Sequence, residues 1–301
     1  MISICIPVYN YNVLPLVEAL SAIRDKQALK VEIIVADDGS DPKTRKQNEV
    51  ISDWKGIHYF EKQENVGRSA IRNFLASKST RDYILFIDAD SELASENFIL
   101  KYINALSEGK VICGGTAYGA KPTDKDFILR YVYGINREVR SVEERRNNPY
   151  RSFSANNFCI ERALFLRHQF DEQIKSYGHE DTLLGLALKK EGIAIHHIDN
   201  PLVHIGLEPA MDFIEKTNFG LENLILILNN RPELNEMTEE VKVLNYFFVL
   251  KKWKVIGLFS FMFAVFQKGL LKNLTGLQPS LFYFDLYKLG YLCSRAKDLE
   301  Q

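Results

Sequence analysis

Two carboxylates separated by one residue follow a short apolar stretch of this sequence. The stretch is Tyr83–Ile87, and Asp88 and Asp90 come directly after it with Ala89 between them. Its length and composition predict a strand that is buried on both faces, as in a parallel sheet. Acids at the end of such a strand need a partner, because an unpaired charge away from water is very costly. Two interpretations stay open: a divalent cation that holds a diphosphate, or polar residues that cap the next helix.

The elements around these acids place other polar turns beside them. Apolar strands are predicted at 2–8, 31–36, 57–60 and 83–87, with helical patterns between them. Strands that alternate with helices predict an α/β fold with a mainly parallel sheet. The polar turns after the first, second and fourth strands then meet at the carboxyl edge of the sheet, where ligands bind in such folds. We therefore expect a binding site at this edge.

Two further pairs of polar residues are candidates for the same site. Asn156 and Asn157 lie in a predicted strand at 154–160, where their amides face either a ligand or the neighbouring loops. Glu180 and Asp181 come directly before an amphipathic helical pattern. They fall in the first turn, where the helix dipole favours negative charge, so their position also has a purely structural explanation.

Residues 118–151 interrupt the alternation and carry scattered arginines. The pattern predicts an inserted helix and loop that contains Arg137, Arg140, Arg145 and Arg146. These arginines form either a solvated basic surface or a loop that contacts an anionic donor or acceptor.

The overall composition is that of a globular protein with a sizeable core. The chain has 301 residues and a formal net charge of −1, which gives no indication of nucleic-acid binding. Its four cysteines are Cys5, Cys113, Cys159 and Cys293. Because they lie far apart, they predict buried thiols in a reducing compartment rather than disulfides or a zinc site. No basic and apolar leader opens the sequence, so we expect a cytoplasmic protein.

The carboxyl-terminal segment has a distinct composition. Residues 242–297 contain nine Lys or Arg against one acid, Asp285, and hold 13 of the 35 aromatic residues. The apolar run Val255–Phe266 is shorter than the roughly 20 residues that a membrane span needs. It predicts either a helix that lies in a membrane interface, or a helical appendage that packs on the catalytic domain or on a second subunit of a homo-oligomer. We place the domain boundary between residues 230 and 231.

Five motifs in one order resemble family 2 glycosyltransferases of the GT-A fold. They are Ile-Pro-Val-Tyr-Asn, Asp-Asp-Gly-Ser, Asn-x-Gly-x-Ser-x-Ala-x-Arg-Asn, Asp-x-Asp, and a helix that begins with Glu-Asp. The resemblance covers roughly residues 1–205 and implies a Rossmann-like α/β domain, here followed by a helical extension. The segment from Asn156 through Gly-His-Glu-Asp to Val-His-Ile-Gly is most similar to the chondroitin-polymerase and galactosyltransferase-like branch.

The resemblance implies a reaction as well as a fold. It implies a nucleotide-sugar donor, a UDP-sugar in particular, and a saccharide or lipid-linked acceptor in the synthesis of surface polysaccharide or another glycan. It also implies inversion at the anomeric carbon, and an enzyme that works in the cytoplasm or at the inner face of the cytoplasmic membrane. Mn²⁺ or Mg²⁺ would assist the transfer.

Roles for individual residues follow from the same resemblance. Pro7 and Tyr9 would line the base site, Asp38 would accept the uracil N–H, and Asp88 would contact the ribose. Asp181 would be the general base, with Glu180 beside it at the acceptor. Asp90 would bind the metal, and His204 matches the position of a second metal ligand, which favours Mn²⁺ because imidazole is a poor ligand for Mg²⁺. The full nucleotide-sugar set is Pro7, Val8, Tyr9, Asp38, Gly67, Arg72, Asp88, Ala89 and Asn156.

Two other functions compete with glycosyl transfer. A nucleotidyltransferase usually carries a glycine-rich first loop with Lys or Arg, whereas the first loop here is Tyr-Asn-Tyr-Asn. A non-catalytic nucleotide-sugar-binding module is the second alternative, and the intact carboxylate pairs argue against it.

Overall fold

A seven-stranded sheet is the centre of the first part of the chain. The computed structural model describes residues 1–174, 178–230 and 241–295. The strands of the sheet are β1 Ile2–Val8, β2 Glu32–Asp37, β3 Ile57–Glu61, β4 Tyr83–Ile87, β6 Val111–Cys113, β8 Asn157–Glu161 and β9 Ile195–His197. Their spatial order is β3-β2-β1-β4-β8-β6-β9. Neighbouring strands are parallel except where β8 pairs with β4 and β6.

A second, smaller sheet contains three short strands in the order β5-β10-β7. They are β5 Ser91–Leu93, β7 Thr116–Tyr118 and β10 Leu202–His204. β10 is antiparallel to β5 and parallel to β7, so His204 lies opposite Ser91 on one side and Tyr118 on the other. This pairing brings His204 next to the turn that follows β4.

Helices lie between the strands in the chain and follow the last of them. They are α1 Leu14–Lys26, α2 Pro42–Asn48, α3 Arg68–Lys78, α4 Phe98–Ala105, α5 Ile128–Tyr133, α6 Val142–Asn147, α7 Arg162–Arg167, α8 Glu180–Lys190, α9 Ala210–Asn230, α10 Lys242–Lys252, α11 Ile256–Leu274 and α12 Leu281–Ser294. Short 3₁₀ turns lie at Glu49–Asp53 and Lys125–Phe127, and a π-helical turn at Gly134–Glu138 continues α5. The predicted mainly parallel sheet with flanking helices and a helical carboxyl-terminal region is confirmed.

Apolar side chains cover both faces of the large sheet. On β1, Ile4 and Ile6 belong to one core cluster and Cys5 belongs to the other. On β4, Leu85 and Phe86 divide between the two clusters in the same way. Alternate residues of a strand point to opposite faces, so a continuous apolar run is what a sheet covered on both sides requires. The four cysteines are free and buried, as predicted.

The chain divides into two compact units. Among the described residues, the first comprises 1–119, 139–174 and 180–206, and the second comprises 120–138, 178–179, 207–230 and 241–295. The predicted boundary at 230/231 stays a prediction, because residues 231–240 and 296–301 of the extension lie outside the described residues.

The second unit has its own core of aromatic and aliphatic side chains. Phe213 of α9 contacts Phe284 of α12, with ring centroids 5.5 Å apart, and Leu129 of α5 and Leu274 of α11 are fully buried in the same cluster. Arg137 forms an ion pair with Asp285 at 2.7 Å. Within the described ranges, no helix has the length and hydropathy that crossing a membrane requires.

Candidate active site

The first two polar turns at the carboxyl edge are joined by hydrogen bonds. The backbone N–H of Asn10 donates to Ser40 Oγ at 2.8 Å, and the backbone N–H of Asp41 donates to Asn10 Oδ1 at 2.8 Å. Asn10 adopts a left-handed conformation with φ of 50°, which Asn tolerates better than most residues. Asp41 also caps α2 by accepting from the backbone N–H groups of Lys43 and Thr44. Asp41 is therefore the N-cap of α2.

Asp38 joins these turns to the start of α3. Its carboxylate accepts the backbone N–H groups of Val66 and Gly67 at 2.8 and 3.1 Å. Burial raises the pKa of Asp38 to about 6, although these two hydrogen bonds act in the opposite direction. Gly39 is required beside it, because a Cβ there would lie 2.5 Å from the backbone carbon of Glu64. Each carboxylate oxygen can accept a second hydrogen bond, so Asp38 retains capacity for a ligand donor.

The predicted base-site residues differ in their accessibility. Tyr9 is 54% exposed at the end of β1, and Pro7 is partly buried. Val8 points into the core with 1% exposure, and its carbonyl accepts the backbone N–H of Asp38 at 2.7 Å. A ligand at this edge can therefore touch Tyr9, whereas the side chain of Val8 contributes to the core.

Two arginines of α3 hold two acids that are distant in sequence. Arg72 Nη2 lies 2.5 Å from Asp88 Oδ1, and Arg68 Nη2 lies 3.6 Å from Asp88 Oδ2. Arg68 Nε donates to Glu180 Oε1 at 3.0 Å, and Arg72 Nη1 is 3.9 Å from the same oxygen. Residues four apart lie on one face of a helix, so α3 presents both guanidinium groups to this edge. The charges of Asp88 and Glu180 are thereby compensated.

The adjacent acids Glu180 and Asp181 at the start of α8 have opposite pKa shifts. Burial opposes ionisation of Glu180, but Arg68 and Arg72 outweigh it and lower its pKa. For Asp181, burial and the neighbouring Glu180 carboxylate raise the pKa to about 6. Its Oδ1 accepts the backbone N–H of Thr182 at 2.7 Å. A pair whose environments separate the two pKa values is typical of acid–base sites.

Asp90 lies beside the end of β10. His204 Nδ1 is 3.5 Å from Asp90 Oδ2, and the backbone N–H of Ile205 donates to the Asp90 carbonyl at 2.9 Å. Burial opposes ionisation of Asp90, but His204 and Arg68 outweigh it and lower its pKa. Gly206 touches the same side chain, since a Cβ there would lie 2.4 Å from Asp90 Oδ2. The loop after β10 is thus fitted closely around the Asp90 carboxylate.

The donor set at Asp90 and His204 is suitable for a divalent cation. A carboxylate oxygen and an imidazole nitrogen approach each other here, and buried His204 Nε2 has no hydrogen-bond partner among the described residues. In the parts of the chain that the structure describes, no group of three or more His, Cys, Asp or Glu could hold a metal. Two protein ligands are compatible with Mg²⁺ or Mn²⁺ when substrate phosphates and water complete the coordination.

The two adjacent asparagines bond to neighbouring loops. Asn156 Nδ2 donates to Thr116 Oγ1 at 2.9 Å, and the carbonyl of Asn156 accepts the backbone N–H of Asp88 at 3.2 Å. Asn157 is buried, and its amide donates to the carbonyls of Gly115 and Asn200. Asn156 therefore positions the turn that carries Asp88. The amide of Asn157 bonds to neighbouring loops, which is the second of the two interpretations, and does not face a ligand.

Arg145 fits neither interpretation of the arginine-rich segment. It is 5% exposed, and it donates to the carbonyls of Cys113, Gly114 and Ile198 at 3.2, 3.2 and 2.9 Å. Its Nη1 is also 3.1 Å from His197 Nδ1. Arg145 therefore provides hydrogen-bond donors to the carbonyls at the ends of β6 and β9. The scattered basic pattern of the sequence does not indicate this buried role.

A separate cleft lies on the outer side of α3. Its volume is about 660 Å³. The residues that line it are Lys62, Asn65, Val66, Gly67, Ala70, Asn73, Phe74, Ser77, Gln169 and Glu172. Its lining includes Val66 and Gly67, whose backbone N–H groups bind Asp38. The acids of the carboxyl edge are not part of this lining.

Three residues of the site carry no role that the motifs alone indicate. Arg68 contacts both Asp88 and Glu180, and its spacing from Arg72 was the available signal. Tyr118 stacks edge-on against His204 with ring centroids 5.4 Å apart. Gly206 belongs to the Val-His-Ile-Gly segment, but its contact with Asp90 depends on the pairing of β10 with β5.

A sequence profile of glycosyl transferase family 2 matches residues 3–172. The chain belongs to this family. The resemblance and the glycosyltransferase class predicted from the motifs are confirmed.

Individual relatives agree with this assignment. Chondroitin synthase of Escherichia coli is 23% identical over an alignment of 240 residues that covers 67% of this chain and 34% of that protein. GalNAc(5)-diNAcBac-PP-undecaprenol beta-1,3-glucosyltransferase of Campylobacter jejuni is 25% identical over 198 residues, which are 65% of this chain and 62% of that protein. The chain thus spans less than two thirds of the length of either relative.

Similarity to a solved structure supports the fold. The mannosyltransferase PcManGT from Pyrobaculum calidifontis, in complex with GDP-Man and Mn²⁺, superposes with a TM-score of 0.59 at 15% identity. The match covers 99% of this chain and 86% of that chain. The GT-A fold expected from the motifs is confirmed.

Proposed function

We propose that this chain transfers a sugar from a UDP-sugar to a saccharide or lipid-linked acceptor, with inversion at the anomeric carbon. Membership of family 2 supports the reaction class. The names of two relatives support the acceptor class, since one is a chondroitin synthase and the other is named for an undecaprenol-linked substrate.

The donor lies along the turns after β1, β2 and β4 in this proposal. Tyr9 offers an exposed ring for the base, and Asp38 has free acceptor capacity for a base N–H. Asp88 faces the ribose, with its carboxylate oriented by Arg72. A buried arginine that holds Asp88 fixes the position of this carboxylate before the donor binds, which reduces the cost of ordering it.

The metal ligands in this proposal are Asp90 and His204. Their closest donor atoms are 3.5 Å apart, and Gly206 leaves the space that the Asp90 side chain occupies. A bound Mn²⁺ or Mg²⁺ would neutralise charge on the diphosphate leaving group. The imidazole favours Mn²⁺ of the two.

Asp181 is the general base in this proposal. It accepts the proton of the attacking acceptor hydroxyl, while the hydroxyl oxygen forms the new bond to the anomeric carbon and the bond to the diphosphate breaks. A single in-line displacement inverts the anomeric centre and needs no enzymic nucleophile. Because Arg68 and Arg72 hold Glu180, that carboxylate orients the start of α8 beside the acceptor.

The observation that carries the proposal is the approach of Asp90 and His204 at the carboxyl edge of a family 2 domain. The test is UDP release from a panel of UDP-sugars with Mn²⁺ and saccharide acceptors, followed by NMR of the product. We expect UDP release with at least one donor and a product of opposite anomeric configuration. Turnover with other nucleotide-sugars only, or retention of configuration, would refute the donor or the mechanism respectively.

A further inference from the structure

Helix α11 of the second unit has apolar residues on two faces. Its inner face carries Phe263 and Leu274, which are buried against Phe284 and Tyr287 of α12. Gly290 of α12 permits this close approach, because a Cβ there would lie 2.3 Å from the Phe263 ring. The inner face therefore accounts for the packing of α11 within its unit.

The outer face of α11 carries a second apolar stripe. Leu258, Phe261, Met262 and Val265 are 60%, 68%, 44% and 57% exposed. Their spacing of three, four and seven residues places them on one side of the helix. Solvent-facing positions of a soluble helix are normally polar, and contiguous exposed apolar residues mark interaction sites. Among the described residues, the outer stripe, Leu258 to Val265, is therefore largely left uncovered.

Lysines surround and extend the outer stripe. Lys268 and Lys272 continue the same side of α11, at three and seven residues beyond Val265. Lys251 and Lys252 end α10, and Lys254 lies in the turn between α10 and α11. That turn also contains Trp253, which is 71% exposed. Among the residues that the structure describes, none of these lysines forms an ion pair with a carboxylate.

The charge around the outer stripe decides between two occupants. A second copy of the chain would place one lysine-rich face against another, and like charges across an interface are unfavourable. A membrane surface with anionic headgroups attracts lysines and accepts apolar side chains and Trp at its boundary. We propose that the outer stripe of α11, with its flanking lysines and Trp253, docks the chain on an anionic lipid surface.

Vesicle flotation tests this docking surface. The full chain is mixed at low salt with vesicles of phosphatidylcholine alone or of phosphatidylcholine with phosphatidylglycerol. We expect the chain to float only with the anionic vesicles, and to be released by high salt. The double variant Phe261→Ser/Val265→Ser should reduce binding about a hundredfold or more, since burying each such side chain contributes about tenfold or more. The variant Lys268→Gln/Lys272→Gln should lose about fivefold per lysine at low salt.

The matched control removes exposed apolar side chains elsewhere. Val50→Ser/Val139→Ser changes two residues of the first unit that are 47% and 39% exposed. This control should float like the unmodified chain. UDP release in solution by both serine variants separates the docking surface from the proposed reaction, because neither variant changes a residue of the site.

Three outcomes would overturn the docking proposal. The unmodified chain could remain unbound to anionic vesicles, or the stripe variant could bind as well as the control. The third outcome is an oligomer by light scattering that the stripe variant converts to a monomer, which would assign the stripe to a second copy.

Discussion

Asp181 and Glu180 are adjacent acids whose surroundings give them different protonation behaviour. Two arginines hold Glu180 ionised, and burial together with that neighbouring charge raises the pKa of Asp181 to about 6. We predict that Asp181→Asn lowers the rate of sugar transfer by roughly two to four orders of magnitude, the usual contribution of a general base. UDP binding by calorimetry should remain close to that of the unmodified enzyme.

The control for this variant is Asp53→Asn, which makes the same change at an exposed position of the first unit. It should leave both transfer and UDP binding unaltered. Full transfer activity in Asp181→Asn would remove Asp181 from the mechanism.

The pKa of Asp181 also predicts a pH dependence. A base must be deprotonated to accept a proton, so kcat/KM should rise with pH through about 6 and level off above it. Measurement of initial rates between acidic and slightly alkaline pH at saturating Mn²⁺ shows this limb. A profile that is flat through pH 6 would contradict the assignment.

At the scale of elements, the loop after β10 determines the position of Asp90. We predict that Gly206→Ala weakens binding of UDP with Mn²⁺ by about tenfold to hundredfold, since the added Cβ must displace the Asp90 side chain. The melting temperature should change little by comparison. The matched control is Gly119→Ala, because no atom of the described residues lies within 4 Å of a Cβ there. Equal UDP affinity in the two variants would show that the loop does not position Asp90.

The bond between His197 and Arg145 connects β9 to α6 and gives the first unit a second pH-dependent feature. Arg145 can only donate, so His197 Nδ1 accepts, and Nε2 donates to the carbonyl of Pro149 at 2.9 Å. Burial, with additional effects from Arg145, lowers the pKa of His197 to about 4. The folded state therefore keeps this imidazole neutral at pH values where the unfolded chain already binds a proton.

This shift predicts a loss of stability on acidification. Above pH 6.5, His197 does not reduce the free energy of unfolding. As the pH falls from 6.5 towards 4, the unfolded chain binds a proton that the folded chain does not, and the free energy of unfolding decreases, by about 2 kcal/mol at pH 5. Urea unfolding at pH 7.5 and pH 5 should show this loss in the unmodified chain relative to His197→Gln. Comparison with the variant removes the contribution of Asp38 and Asp181, whose raised pKa values act in the opposite direction. An identical pH dependence in both proteins would contradict the account.

Patterns that depend on local burial were sufficient to predict most elements of the sheet. The apolar runs at β1 and β4 coincide with the predicted strands because each is buried on both faces. Helix α4 begins at Phe98, and the Ser95 hydroxyl accepts the backbone N–H of Asn97 in a turn before the helix. Such local hydrogen bonding competes with helix formation and is not visible as periodicity.

For the whole molecule, the sequence indicated which turns meet but not how their side chains pair. The alternating pattern predicted a mainly parallel sheet, and the structure places β2, β1 and β4 side by side in it. The pairing of Arg68 with Glu180 joins residues 112 positions apart, and the buried role of Arg145 depends on carbonyls from two other strands. Contacts of this kind arise from tertiary packing, which composition and spacing do not encode directly.

The second unit shows the same division between pattern and contact. Its basic and aromatic composition predicted a helical extension with an interfacial helix or an appendage. The contact of Phe213 with Phe284 shows that these two aromatic residues are internal. The exposure of Phe261 shows that this one lies outside the core. Both faces of this run are apolar, so its hydrophobic periodicity does not distinguish the buried side from the exposed side.

The central claim is that Asp90, with His204, binds the metal that holds the donor diphosphate. The most direct test is calorimetric titration of UDP into the unmodified chain, Asp90→Ala and Asp181→Asn, each with Mn²⁺ and with a chelator. We predict Mn²⁺-dependent UDP binding in the unmodified chain and in Asp181→Asn, and loss of both affinity and metal dependence in Asp90→Ala. Binding of UDP to Asp90→Ala with unchanged affinity and unchanged dependence on Mn²⁺ would contradict it.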